Sequence, residues 1–214
     1  MKFTNKLLLI AGIIASILVG VGEYWLHYLP SGPGGEITML EEVPLPRASK
    51  GHFLVVFFAP LYFAGYYGLK NIFQSASPLL SRLLLISGVL SFSIGGVWVS
   101  SRYFAAVVLQ RSLGTGDHDY YLQSYEDHYQ ILVWVLRVLV SVVSILYVIL
   151  ILKNKEGYPK WLAIFNPIVI LAIVISSLLW FKPLGNHAAP IAMNVTHFVF
   201  FSLVLIHLNK LSTK

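Results

Sequence analysis

Long apolar blocks, separated by short polar or Gly/Pro-rich intervals, dominate this chain. A membrane-crossing helix needs about 20 mostly apolar residues, and six segments reach that length: 7–29, 51–69, 82–109, 131–152, 160–182 and 190–209. No stretch shows the two-residue alternation of a half-buried strand. The pattern predicts an all-α integral membrane protein, a bundle of six transmembrane helices forming a single membrane domain over 1–214. Intervals 30–50, 110–130 and 183–189 become loops on one side of it.

Punctuation refines the segments. The first loop, "PSGPGGEITMLEEVPLPRASK", is rich in Pro and Gly and reads as a surface segment without regular structure. The second opens with the breaker "LGTG", and "DHDYYLQSYEDHYQ" after it reads as an interfacial helix or an early extension of helix four, because tyrosine favours the headgroup region. Tyr24, Trp25, Tyr28, Tyr66 and Tyr67 read as interfacial-belt residues for the same reason. Pro60 and Pro167 fall inside helices two and five, where each removes a backbone bond and is expected to kink the helix. Asn166 is placed to satisfy a carbonyl freed by Pro167. The opening "MKFTNKLLLIAGIIASILVG" imitates a secretory signal, but its apolar run continues to Trp25, so the segment is expected to span.

Composition narrows the function classes. Of the 214 residues, 57% are hydrophobic and 11% charged, against about a quarter charged in soluble domains. The net charge of +6 follows from basic residues flanking helices, with no basic and aromatic stripe suited to nucleic acid. Lys2, Lys6, Lys70, Arg82, Lys153, Lys155, Lys160, Lys210 and Lys214 fall on one side; Arg47, Lys50, Arg111 and Lys182 fall on the other. Both termini are therefore predicted cytoplasmic, in a bacterial inner (plasma) membrane. Glu36, Glu41, Glu42, Asp117, Asp119, Glu126 and Asp127 make the outer side acidic, with Glu156 inside. The absence of cysteine excludes disulfides, thiolate metal ligands and cysteine nucleophiles.

Four ionisable residues share one depth. At about 1.5 Å per residue, Glu23 lies roughly 10 Å below Pro30, and Arg102, Arg137 and His197 come out at a similar level. Charge inside a bilayer is costly unless it faces protein or water. Spacing supports inward orientation: Gly12, Ser16 and Gly20 form a small-residue ridge leading to Glu23 and His27, and Gly88, Gly95 and Arg102 recur at heptad spacing. Asn194 and His197 lie one turn apart. His27, His52, His118, His128, His187 and His197 map to the outer part and His207 to the inner end.

Two chemistries follow. Glu23 with Arg102 or Arg137 can be a register-fixing buried ion pair; alternatively Arg102, Arg137 and Asn194 bind an anionic or lipid-like ligand. The histidines can be interfacial residues, or His27, His52, His128 and His197 can hold a divalent metal such as zinc through imidazole nitrogens. In the catalytic version a metal-bound water attacks, Glu23 or Asp127 takes its proton and Arg102 or Arg137 stabilises the developing charge. An anion or proton-coupled transporter and a noncatalytic subunit of a membrane complex are the competing readings. Histidines and acids inside a bundle are a design idea shared with the intramembrane zinc hydrolases related to alkaline ceramidases and adiponectin receptors; their seventh helix and late paired-histidine motif are missing here. Axial haem ligation would fall to His27 and His197.

Overall fold

The computed structural model describes residues 2–29, 32–33, 37–154 and 157–210. Pro30, Glu36, Lys155, Glu156 and Lys214, used above to set depth and sidedness, lie outside them. Eight α-helices are described: α1 Lys2–His27, α2 Leu45–Phe58, α3 Leu61–Phe73, α4 Pro78–Ser112, α5 His118–Lys153, α6 Pro167–Trp180, α7 Lys182–Ala188 and α8 Ala192–Lys210. Turns of 3-10 helix occupy Ile37–Glu41, Lys160–Ala163 and Ala189–Ile191. Among the described residues the fold is all-α apart from one two-residue antiparallel pairing, Tyr28–Leu29 with Gly32–Pro33.

Among the described residues five stretches are long and apolar enough to cross a membrane: Phe3–His27, Leu45–Phe73, Pro78–Ser112, His118–Lys153 and Lys182–Lys210. The helix expected over 160–182 is shorter. Its 14 residues span about 21 Å, less than the ~30 Å hydrocarbon core. Pro167 starts α6 instead of kinking a longer helix. A proline suits the first helical turn because that N–H has no intrahelical partner. Asn166 caps this start by accepting from the Val169 N–H at 3.3 Å, and its amide donates to the Ala163 carbonyl at 3.0 Å, the role expected from sequence. Pro60 separates α2 from α3.

The loop over 30–50 is more regular than its composition suggests. Gln110 of α4 donates to the Leu40 and Val43 carbonyls, both at 2.8 Å, anchoring the segment that contains the 3-10 turn Ile37–Glu41. Ile37 and Leu40 pack with Ala105, Ala106 and Leu109 of α4, so apolar side chains among the loop's polar residues hold it down. The tyrosine-rich stretch forms the first turns of α5.

Helix α1 is the hub, packed on α2, α3 and α8, while α4 packs on α2, α3 and α5. Close approach depends on missing side chains. A Cβ at Gly12 would stand 3.0 Å from the Cα of Gly65 and 2.9 Å from the Phe201 ring, so the predicted ridge is where α1 meets α3 and α8. The outward faces remain apolar: Ile10, Ile14, Ile17 and Val21 are exposed at helical spacing along α1. Contiguous apolar surface of this kind matches a lipid environment. This is the architecture of a membrane protein.

Candidate functional site

The interior of the bundle brings three predicted groups into two hydrogen-bonded chains. In the first, Tyr62 of α3 donates to Asn194 Oδ1 at 2.7 Å, and Asn194 Nδ2 donates to Glu23 Oε2 at 2.5 Å. In the second, His197 Nδ1 lies 2.9 Å from the Met193 carbonyl and Nε2 lies 2.8 Å from the Tyr66 hydroxyl. A carbonyl only accepts, so Nδ1 carries the proton and neutral His197 accepts from Tyr66 through Nε2. Burial favours such complete pairing, because an unsatisfied polar group away from water is costly. Tyr62, Tyr66, Glu23, Asn194 and His197 are all buried.

A third chain runs beside them. His27 Nδ1 lies 3.2 Å from the Pro190 carbonyl, and Arg102 donates to His27 Nε2 at 2.9 Å. The same reasoning makes His27 the neutral Nδ1–H tautomer. The Arg102 guanidinium lies 5.3 Å from the Trp98 ring centroid and 5.4 Å from that of Tyr129, within cation–π range. Arg102 is 4% exposed and its Nε has no protein partner.

Beside these chains lies a chamber of about 450 Å³. Glu23, Asn194 and His197 form part of its wall, as do Trp98 and Tyr129, the two rings that Arg102 faces; Arg137 and Ser141 enter from α5. The remaining wall is largely apolar, including Val19, Phe92, Leu136, Ile168, Leu171 and Ile175. Gly96 keeps space open, since a Cβ there would meet nothing within 4 Å. Ser144 fastens the far wall by accepting from the Ile168 N–H in the first turn of α6 at 3.1 Å.

Several expected partnerships take another form. Glu23 pairs with Asn194, and among the described residues neither arginine lies within ion-pair distance of it. Arg102 is inward as expected, whereas Arg137 is exposed and lies 5.2 Å from the ring centroid of Trp134. His52 sits among Phe53, Tyr103 and Phe104. His128 and Asp127 are exposed on α5, and Asp127 accepts from Gln123 at 2.8 Å. His27 and His197 use both ring nitrogens within the protein, and no group of three or more His, Asp or Glu side chains suited to a metal is found among the described residues. The metal-centre reading therefore has no ligand set supporting it.

The sequence reading missed the hydrogen-bonding tyrosines. Tyr66, assigned above to the interfacial belt, is 1% exposed, while Tyr67 is 47% exposed. Tyr62 and Tyr66 are four residues apart within an apolar helix, a spacing that puts two hydroxyls on one face and was the available signal.

Comparison with curated proteins and with solved structures gave no match. A family model described as "Family of unknown function (DUF6796)" matches residues 1–211. With nearly all of its length matched, from α1 through the end of α8, this chain belongs to the DUF6796 family.

Proposed function

We propose that this protein binds an anionic, lipid-like amphiphile in its intramembrane chamber. The ligand's apolar chain lies along Leu136, Ile168, Leu171 and Ile175, and its anionic head turns toward Arg137. One observation carries the reading: an apolar chamber of about 450 Å³ is bordered by a cation with no carboxylate in ion-pair distance among the described residues. Mostly apolar walls with few convergent polar groups are the usual composition of a small-molecule site. Glu23 and Asn194 supply further hydrogen-bonding capacity. This retains the anionic-ligand reading of the sequence and leaves out its metal-dependent hydrolysis; transport and a subunit role require evidence of translocation or of a partner. In the same reading the end bearing Glu41 and His118 faces outward from a bacterial inner membrane, and the end bearing Lys70 and Lys153 faces the cytoplasm, on the positive-inside rule.

Native mass spectrometry of the full chain in detergent tests the reading, with oleate as anionic probe and oleyl alcohol as neutral control. Oleate is expected to bind the parent, to weaken about tenfold or more in Arg137→Gln and to weaken in Gly96→Leu, whose side chain enters the chamber. Equal oleate binding by the parent and both variants would overturn the proposal.

A further inference from the structure

A second cluster lies outside the chamber, where the end of α4, the start of α5 and the 3-10 turn Ile37–Glu41 meet. His118 Nδ1 lies 3.0 Å from Ser112 Oγ, and His118 Nε2 lies 3.3 Å from Glu41 Oε1. Ser112 is buried, while His118 and Glu41 are partly exposed. In the neutral Nε2–H tautomer, His118 turns that N–H toward the Glu41 carboxylate, an electrostatic contact at 3.3 Å, and leaves Nδ1 able to accept the serine proton. The Ser112 hydroxyl also has the Leu109 carbonyl as an acceptor at 3.0 Å, and rotation of its hydrogen moves it between the two acceptors. A nucleophile, a base within hydrogen-bond reach and a third group orienting that base meet the geometric criterion for an activated serine.

The groove beside the cluster indicates the substrate. A cleft of about 400 Å³ runs between α4 and α5, with Phe104, Val108 and Leu109 facing Tyr121 and Tyr125. From Ser101 to Leu109 it extends about 12 Å along α4. Ser112 and His118 continue the same two helices one turn beyond Leu109 and Tyr121. A lipid chain in the cleft would therefore present its ester near the serine, with the headgroup toward water. The His118 N–H is taken by the Thr115 carbonyl at 3.5 Å, but Asp117 makes no side-chain cap on α5, so the next amides of the first turn, at Asp119 and Tyr120, are the backbone donors for an oxyanion.

We propose that Ser112, His118 and Glu41 form an esterase site for acyl esters of lipids, separate from the intramembrane chamber. Ser112 Oγ bonds to the ester carbonyl carbon while its proton passes to His118 Nδ1. The carbon–oxygen ester bond breaks and the alcohol leaves with that proton. His118 then takes a proton from water as the water oxygen attacks the acyl-serine; the carboxylic acid departs and Ser112 recovers its proton. Ser112 and His118 are catalytic, and Glu41 is a positioning residue that holds the tautomer.

The test uses the full chain in detergent and a fluorophosphonate carrying a long alkyl chain, with the adduct mapped by peptide mass spectrometry. Labelling of the unsubstituted protein is expected at Ser112. His118→Ala should slow it about 100-fold or more, within the range of general-base catalysis, and Glu41→Asp should retain more labelling than Glu41→Gln. Mapping the adduct on the parent makes the result independent of whether a variant folds. An unlabelled parent, or an adduct on another residue, overturns the proposal.

Discussion

Arg102 donates to His27 Nε2 at 2.9 Å, joining α4 to α1 through a histidine rather than a carboxylate. Because His27 also bonds the Pro190 carbonyl, one imidazole links α4, α1 and the 3-10 turn preceding α8. A buried guanidinium depends on that acceptor, and its Nε already lacks a protein partner.

His27→Ala is therefore expected to destabilise the protein by about 1.5–3 kcal/mol, the range for a hydrogen bond to a charged group. His27→Gln keeps a carbonyl acceptor and should recover part of the loss. Unfolding of the purified variants in one detergent checks this. Parent-like stability of His27→Ala would show that Arg102 does not depend on the bond.

Tyr66→Phe removes the donor to His197 and keeps the ring. Hydrogen bonds between membrane helices are worth about 0.6 kcal/mol on average, with a maximum near 1.7, so a small loss is expected. His197→Ala should cost more, because that ring also packs against Tyr62, Phe92 and Phe201. Removing a large buried side chain costs about 3–5 kcal/mol. Thermal midpoints in the reverse order would contradict this packing.

Gly88 and Gly96 should respond oppositely to alanine. A Cβ at Gly88 would overlap the Tyr66 ring, whereas one at Gly96 would meet nothing within 4 Å. Gly88→Ala is expected to cost about 1–3 kcal/mol through overpacking. Gly96→Ala should be neutral or stabilising by up to about 1 kcal/mol from helix propensity. Denaturation of both variants side by side measures the contrast, and a destabilised Gly96→Ala would mean that the chamber wall is tighter than described.

Orientation can be read by cysteine labelling, since the chain has no cysteine. Thr115 and Ser75 are exposed at opposite ends of α4. An impermeant maleimide added to intact cells should label Thr115→Cys and spare Ser75→Cys until the membrane is opened. The reverse pattern would invert the proposed topology.

Five of the six expected helices were legible as long enough to cross a membrane, because that needs a long apolar run and the requirement is local; the run over 160–182 folds as a shorter helix. Position along each helix was legible too, since it follows from a fixed rise. Side-chain partners were not. Sequence arithmetic put Glu23 level with two arginines, but Asn194 is its hydrogen-bond partner, Arg102 reaches His27, and Arg137 is exposed on α5. The chamber was equally hidden, because it depends on the space left beside Gly96 and on a short α6 held by Ser144. Glu41 reaches His118 because the 3-10 turn is held on α4 by Gln110 and by the packing of Ile37 and Leu40. Sequence determined how far along each helix a residue lies; tertiary packing set the rotation and spacing of the helices, and these decide which side chains come within hydrogen-bond reach.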